Sequence, residues 1–173
     1  MTRPEAQQWG ADEAVTRLYV AHYRPLVRLA TLLLHDQGAA EEIVQDAYVA
    51  LHGRWPRLRD ADKALGYLRI SVLNRCRSAL RHRRVVRAYL AVTRPAADAP
   101  SAESGALELI RHQAVLAALR ALPTRQREAV VLRYYADLSE AETAALMGVS
   151  RGAVKSHTFR GLAALKQTLG AER

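Results

Sequence analysis

The sequence predicts an all-α protein of two helical domains joined by a flexible linker. Apolar residues recur at three- and four-residue spacing through most of the chain, which is the period of an amphipathic helix, and no segment alternates as a strand does. Residues 92–105 have no usable periodicity and are rich in Pro, Ala and Ser, which indicates a tether between the two helical parts.

The first domain is predicted over residues 12–90. Residues 12–55 favour helix nearly throughout, except at 36–38, where Asp, Gln and Gly interrupt the apolar pattern. The amphipathic helix after this break, over 41–55, is expected to end at Pro56, because a proline disfavours helix in the residue before it.

A short loop over 57–63 and a third helix over about 64–84 are expected next. Val72, Cys76 and Leu80 are spaced to form one buried stripe on that helix. This assigns the chain's single cysteine to packing, and one cysteine excludes an internal disulfide.

The second domain is predicted over 106–170, after a linker over 91–105. It should contain helices at about 106–121 and 125–136, because Leu-Pro-Thr at 122–124 stops one helix and starts the next. A pair of shorter helices follows.

Residues 138–161 predict a helix-turn-helix. Ser139 and Glu142 form a capping box, so the first helix should begin at about residue 140. Gly148 supplies the left-handed conformation that ends this helix, and Ser150 can cap the next one. This is the geometry of a DNA-binding motif.

The second helix of this motif should pack through Val154 and expose a cationic surface. Ala144 is small enough to let the helices cross closely, and Val149 can help fill the angle between them. The exposed side chains are expected to suit phosphates and base edges, and they are Arg151, Lys155, Ser156, Phe159 and Arg160.

Composition narrows the class of protein. The formal net charge of +9 favours nucleic acid or an anionic surface as the partner. The chain has no run of about 18 apolar residues and no apolar core of a signal peptide near its start, so we expect no membrane insertion and a cytoplasmic location.

No catalytic constellation is visible in the sequence. A Gly-rich phosphate loop, paired carboxylates in an apolar setting and a nucleophile with a base are all lacking, and the six histidines have no ligand spacing. We therefore expect neither an enzyme nor a metal or other cofactor.

Three segments together resemble a known family. Residues 40–48 and 67–74, followed by an Arg-rich tail, look like region 2 of a bacterial sigma factor, and residues 119–128 with the helix-turn-helix look like region 4. The short two-region chain resembles the extracytoplasmic-function (group IV, sigma-70 family) RNA polymerase sigma factors, of the actinobacterial type. The match covers about residues 12–90 and 106–169.

The resemblance implies a function. A sigma factor binds core RNA polymerase and directs initiation at specific promoters, here by recognising the −35 element as duplex and opening the −10 element. Response regulators end in a similar Val-Lys-Ser-His helix, so it is the helical N-terminal half that favours this interpretation. The main alternative is a regulator that binds operator DNA as a dimer without joining polymerase. A weaker one is an RNA-binding adaptor, which no RNA-module aromatics support.

An acidic face on the second helix is the expected polymerase-docking surface. The resemblance assigns it to the clamp helices of the β′ subunit, with the β subunit as a further contact, whereas the residues alone would favour a solvated face. An anti-sigma protein stays open as a further partner, and polymerase binding would bring the chain to the nucleoid. The residues are Glu41, Glu42, Gln45 and Asp46.

The −10 element is assigned to the loop over 57–66 and the helix after it. The resemblance places a pocket for a flipped base at Lys63 and Asn74, with Tyr67 stacking or packing, two roles that are evenly matched. Eight arginines and no acid lie between residues 69 and 94. Of these, Arg77 and Arg81 share a face with Asn74 and are expected to contact the DNA backbone.

The −35 element is assigned to the second helix of the helix-turn-helix. Arg160 is the expected specificity residue, because an arginine paired with guanine discriminates by about 1–3 kcal/mol. Phe159 could equally lie in the core. The full set expected at the major groove or its phosphates is Arg133, Arg151, Lys155, Ser156, Phe159 and Arg160.

Overall fold

The predicted all-α class is confirmed. A computed structural model describes residues 10–58, 60–93 and 106–170, and these ranges contain helices and short connections without a strand. Residues 94–105, which hold most of the predicted linker, lie outside the described residues. The helices are α1 (Ala11–Leu34), α2 (Gln37–Leu58), α3 (Ala61–Thr93), α4 (Ala106–Ala121), α5 (Thr124–Val130), α6 (Glu140–Met147) and α7 (Arg151–Gly170).

The chain divides into two compact units, Met1–Arg77 and Ser78–Arg173, and the boundary falls within α3. In the first unit, α1 packs against α2, and each helix buries an apolar stripe. The buried Tyr48 hydroxyl donates a hydrogen bond of 3.0 Å to the carbonyl of Leu18, which satisfies the polar end of an otherwise apolar contact.

A break between the first two helices is present, but it lies at residues 35 and 36, and α2 begins at Gln37, four residues before the expected start at 41. His35 ends α1 in the left-handed conformation, with φ of 54°, and its N–H donates to the carbonyl of Thr31. The carboxylate of Asp36 then accepts a bond of 3.0 Å from the N–H of Ala39, as an N-cap does for the next helix.

The expected end of the second helix at Trp55-Pro56 is wrong, because α2 continues to Leu58 with Pro56 inside its last turn. A proline there removes one backbone hydrogen bond and already has the φ that a helix needs. Trp55 is buried, so this turn is anchored in the core of the unit despite the missing bond.

The expected loop over 57–63 is also wrong, since only residues 59 and 60 separate α2 from α3. Asp60 explains the early start of α3. Its side chain accepts bonds of 2.9 Å and 3.2 Å from the N–H groups of Asp62 and Lys63, so it caps a helix that begins at Ala61.

The third helix runs to Thr93, about nine residues beyond the expected end near residue 84, so residues 91–93 of the predicted linker are helical instead. Residues 85–93 contain no glycine or proline, and the first breaker is Pro95. Two neighbouring valines weaken the apolar period here, but they reduce helix propensity only slightly.

In the second unit, α7 packs against α4, α5 and α6. Its contact with α5 is close, because a methyl group at Gly161 would lie 2.7 Å from Cγ2 of Val130 and 3.3 Å from the carbonyl oxygen of Gln126. The missing side chain at Gly161 therefore lets the two helices approach.

The helix predicted over 125–136 changes its winding part-way. After α5, residues Val131–Tyr135 form a π-helical turn, closed by a bond from the N–H of Ala136 to the carbonyl of Val131. Asp137 follows with φ of 50°, a conformation that aspartate tolerates, and Leu138 is buried beyond it. This wide turn brings the chain out of α5 and into α6.

Candidate functional site

The predicted helix-turn-helix is formed by α6 and α7. The side chain of Ser139 accepts from the N–H of Glu142, and the Glu142 carboxylate accepts from the N–H of Ser139 at 2.8 Å, so the capping box is complete. Gly148 has φ of 66° and donates to the carbonyl of Ala144. The predicted start and end of this helix are confirmed.

The start of α7 and its contact with α6 follow the prediction as well. Ser150 Oγ accepts a bond of 3.1 Å from the N–H of Ala153. Val154 is fully buried and Ala144 is nearly so, while Val149 is half-buried. The angle between the helices is therefore fixed by a small apolar core.

A charged group that sequence reasoning missed holds the end of α6. Nη1 of Arg125, on α5, donates a bond of 3.2 Å to the carbonyl of Met147 and lies 3.1 Å from Oε2 of Glu128. Glu128 is 2% exposed. A terminal carbonyl of α6 is thus satisfied by a cation that a buried carboxylate orients.

The predicted DNA-facing side chains of α7 are exposed together. Residues 151, 155 and 159 repeat every four positions, and 156 and 160 lie beside them on the same part of the helix surface. Phe159 is 75% exposed, so the alternative that it lies in the core is wrong.

An acidic residue of α6 faces this surface, and one of the predicted DNA-facing residues lies outside it. Glu140, in the first turn of α6, places its carboxylate 3.9 Å from Nη2 of Arg151 and 3.8 Å from Nζ of Lys155. Arg133 lies in the π-helical turn, not on α7, and its half-buried guanidinium donates to the carbonyl of Leu138.

The acidic face predicted on α2 forms two adjacent stripes, because Glu41 and Gln45 are four residues apart and so are Glu42 and Asp46. Three of the side chains have intramolecular contacts. Glu41 accepts from Gln37 at 2.9 Å, Gln45 lies 3.5 Å from the Tyr23 hydroxyl, and Asp46 lies 3.6 Å from Arg75 Nη1. Glu41 is half-buried, and the other three are exposed.

An aromatic cluster that sequence reasoning did not identify lies beside this face. Tyr19 and Tyr23 stack with ring centroids 4.3 Å apart, and Tyr48 meets Tyr19 edge-on at 5.2 Å. Burial, and then the neighbouring Tyr19, raise the pKa of the Tyr48 phenol. The cluster links α1 to α2 next to Gln45.

The residues predicted for the −10 element all lie on α3. Lys63 is exposed in its first turn, and Tyr67 is half-buried with the Arg54 guanidinium 5.6 Å from its ring centroid. Asn74 is exposed, and its Oδ1 accepts a bond of 3.3 Å from Arg77. The predicted Lys63 pocket in a loop is therefore wrong in its local structure, since Asp60 starts the helix before it.

Arg81 is exposed one turn beyond Arg77, in the part of α3 that belongs to the second unit.

His22, on α1 of the first unit, is half-buried. Burial, and then the positive charge of Arg69, lower the pKa of this histidine.

Comparison with known proteins identifies the family. The family model for sigma-70 region 2 matches residues 18–86, and the model for sigma-70 region 4 matches residues 112–165. The chain belongs to the sigma-70 family, in its extracytoplasmic-function group. It is an RNA polymerase sigma factor that directs transcription, and the operator-binding alternative is not favoured.

Relatives of this sigma factor cover most of its length. An RNA polymerase sigma-E factor of Streptomyces avermitilis is 33% identical over 144 residues, which are 83% of this chain and 78% of the relative. The extracytoplasmic-function RNA polymerase sigma factor SigM of Mycobacterium tuberculosis is 33% identical over 161 residues, 93% of this chain and 80% of the relative.

Two solved structures have the same fold. The sigma factor RpoE of Bartonella quintana, in complex with the anti-sigma factor NepR, is 25% identical with a TM-score of 0.71, covering 91% of this chain and 98% of that one. CnrH, in complex with the cytosolic domain of CnrY, is 26% identical with a TM-score of 0.67, covering 98% and 100%.

The region 4 match of this sigma factor contains both halves of the helix-turn-helix, and the region 2 match contains the acidic face and Asn74. The supporting contacts of Asp60, Arg125 and Glu140 carry weaker signals in the sequence. Only Asp60 could have been found there, as an N-cap residue ahead of an apolar period. Across the parts of the chain that the structure describes, no helix is long and apolar enough to span a membrane.

Proposed function

We propose that the chain acts as a promoter-specificity subunit with a divided task. The first domain, over 12–90, docks on core RNA polymerase and opens the −10 element, and the second, over 106–170, recognises the −35 element as duplex. The linker, predicted over 91–105 with residues 91–93 at the end of α3, lets both sites be engaged together. The observation that carries this proposal is the exposed cationic face of α7, held by a complete helix-turn-helix inside a region 4 match.

Polymerase docking is assigned to the acidic face of α2, at the clamp helices of the β′ subunit. Its carboxylates suit a basic partner surface, and those of Glu42 and Asp46 are exposed, so that a partner can reach them. The contacts of Asp46 with Arg75 and of Gln45 with Tyr23 support a preformed arrangement. Polar contacts of this kind fix orientation more than they supply affinity.

Opening of the −10 element is assigned to Asn74, with Arg77, Arg81, Lys63 and Tyr67. A base that leaves the stack needs a partner for its hydrogen-bonding edge, and the exposed Asn74 amide can both donate and accept. Arg77 donates a hydrogen bond to Oδ1 of Asn74. This contact supports the assignment of Arg77 to the DNA backbone, next to Asn74 at the base. The Tyr67 ring, under Arg54, has one face engaged inside the protein.

Recognition of the −35 element is assigned to the α7 surface, with Arg160 as the specificity residue. An exposed guanidinium on the groove-facing helix can form two hydrogen bonds with guanine, which is worth about 1–3 kcal/mol against other bases. Arg151 and Lys155 suit phosphates, because they are exposed cations near the N-terminal end of the same helix. Arg133 is assigned to the groove edge only secondarily, since it already bonds to Leu138.

Regulation by an anti-sigma protein is part of the proposal. RpoE and CnrH were solved in complexes with an anti-sigma factor and with a cytosolic domain of CnrY, and both have this fold. We further propose that the chain acts in the cytoplasm, at the nucleoid when bound to polymerase, without catalysis of its own. RNA synthesis then belongs entirely to the polymerase.

The test is a pull-down of the full chain with bacterial core RNA polymerase, followed by run-off transcription from a genomic library. Stable binding with new specific transcripts is expected and would yield the promoter motif. Duplex binding without any binding to core would refute the proposal and favour the operator-binding regulator.

Two variants separate the two tasks. Asn74→Ala should leave core binding intact and reduce permanganate reactivity of unpaired thymines at the −10 element. Arg160→Ala should weaken −35 selection, while Lys166→Ala, on the same helix beyond the predicted motif, should not. Loss of core binding in Asn74→Ala, or equal effects of the two α7 variants, would show that this assignment of tasks is wrong.

A further inference from the structure

Glu140 faces the cationic surface of α7 from the first turn of α6. Its Oε2 lies 3.9 Å from Nη2 of Arg151 and 3.8 Å from Nζ of Lys155. These distances are too long for strong hydrogen bonds, but charges so close attract each other. The carboxylate side chain is 28% exposed, whereas the two cations are 69% and 67% exposed. The cations can therefore turn towards a ligand while the carboxylate stays behind them.

The capping of α6 does not require this carboxylate. The capping box consists of Ser139 and Glu142, whose reciprocal bonds are complete. The Glu140 carboxylate does interact favourably with the positive, N-terminal end of the α6 dipole. Any acid in the first turn does so, however, and Glu142 is in that turn as well. Its position against two cations is thus a separate feature.

We propose that Glu140 is an internal counterion for the phosphate-binding part of α7 and that DNA phosphates compete with it. The inference rests on the proposed role of Arg151 and Lys155 at the −35 duplex. In the free chain the carboxylate neutralises part of their charge. A phosphate that approaches either cation also meets a fixed negative charge a few ångströms behind it, which weakens binding to any duplex sequence.

The consequence is a lower sequence-independent affinity of the free chain for DNA. Non-specific binding is almost wholly electrostatic, so one fixed anion at the phosphate-binding face acts on it directly. Base contacts from Arg160 are outside this ion-pair group and keep their discrimination. Glu140 thereby keeps the free sigma factor from being held on non-promoter DNA.

The experiment measures fluorescence anisotropy of a labelled duplex of scrambled sequence with the full chain, over a series of NaCl concentrations. Glu140→Gln should bind about two- to fivefold more tightly at low salt, the range expected for loss of the anion from exposed ion pairs. The advantage should shrink as salt rises, with a steeper slope of log K against log salt. Unchanged or weaker binding would overturn the proposal.

The matched control is Asp137→Asn. It removes the same charge three residues away, at an exposed position whose left-handed backbone asparagine accepts. It should change affinity less than about half as much as Glu140→Gln on the same logarithmic scale. Equal effects of the two variants would show that net charge alone is responsible and would overturn the role of Glu140.

Two further variants guard against a folding effect. Glu140→Ala, which favours helix, should tighten binding as much as Glu140→Gln, and a difference in sign would refute the charge mechanism. In a background with Arg151→Gln and Lys155→Gln, Glu140→Gln should have no effect, and a persistent gain would refute it too. Because the duplex is not a promoter and no polymerase is present, failure here is distinguishable from failure of the proposed sigma function.

Discussion

Replacement of Gly161 by alanine should loosen the packing that positions α7. The added methyl group would lie 2.7 Å from Cγ2 of Val130, 3.3 Å from the carbonyl oxygen of Gln126 and 3.4 Å from Cβ of Gln126. A valine in a helix has one strongly preferred rotamer, so Val130 cannot simply turn away. The Gln126 carbonyl belongs to the backbone of α5. The two helices must therefore separate.

The magnitude follows from two opposing terms. An extra methyl group in a packed core costs about 1–3 kcal/mol, and two stiff neighbours favour the upper part of that range. Alanine in place of glycine inside a helix returns about 1 kcal/mol. The net loss in the free energy of unfolding should be about 2 kcal/mol, or about 8–16 °C in the melting temperature of a unit of this size.

Thermal unfolding followed by circular dichroism and calorimetry tests this estimate. The control is Gly152→Ala in the same helix, where the nearest atom, Ser150 Oγ, lies 3.9 Å from the added methyl group, so stability should be unchanged or higher. The double variant Gly161→Ala with Val130→Ala should lose less stability than the sum of the two single losses, because Val130→Ala removes the methyl group that clashes with Ala at position 161. A Gly161→Ala protein as stable as the wild type, or a double variant with strictly additive losses, would refute the packing argument.

Three other changes test separate contacts. Ser139→Ala removes the hydroxyl that Glu142 N–H bonds to and should cost about 1 kcal/mol, visible as a lower melting temperature of the second unit. Leu51→Ala, at a fully buried position of the first unit, should cost about 2–5 kcal/mol in denaturant unfolding and leave the second unit's transition in place. His22 has a folded-state pKa below its ordinary 6.5 because of burial and Arg69, so the neutral form stabilises the fold. That stability is present above pH 6.5 and lost as pH falls, so the melting temperature of His22→Gln should decline less than that of the wild type on acidification.

The parts of the fold that the sequence predicts well are those in which a local residue has a single structural use. Ser139 with Glu142, and Gly148 in its left-handed conformation, set where α6 begins and ends, and Arg125 only adds a bond to its last turn. Two of the three residues of the predicted buried stripe, Val72 and Cys76, follow from helical period alone, whereas Leu80 is only half-buried. The same holds for the exposed cations of α7, because a buried Val154 sets which side faces out.

One error occurs where tertiary packing overrides a local signal, and two occur where the local signal is weak or absent. Pro56 is a helix breaker by propensity, yet burial of Trp55 holds the last turn of α2 around it. Asp60 looks like a loop residue until its side chain is seen capping α3, which removes the expected loop around Lys63. The π-helical turn after Val130 has no pattern in the sequence that sets it apart from an ordinary helix.

The candidate site shows a second limit of sequence reasoning, which concerns pairs. The exposure of single residues such as Lys155 can be checked against a helical period, but Arg125 with Met147 and Glu140 with Lys155 are 22 and 15 residues apart. Contacts at such separations depend on the angle between helices. The sequence shows which residues are charged and which helix face they occupy. Which of them contact each other depends on the fold.

The two proposed DNA surfaces differ in what positions them, because packing fixes the helix that carries the α7 surface whereas a side-chain bond holds Asn74, and the difference matches their tasks. The α7 surface rests on a buried Val154, a close contact at Gly161 and the Arg125 bond to the end of α6. Direct recognition of a duplex needs such rigidity, because a hydrogen bond to a base edge tolerates little displacement. Asn74, by contrast, is exposed and held by one bond of 3.3 Å from Arg77. To bind a base that leaves its stack, Asn74 has to give up its hydrogen bond with Arg77. A weak bond between these two side chains therefore favours opening of the −10 element, whereas a strong one would oppose it.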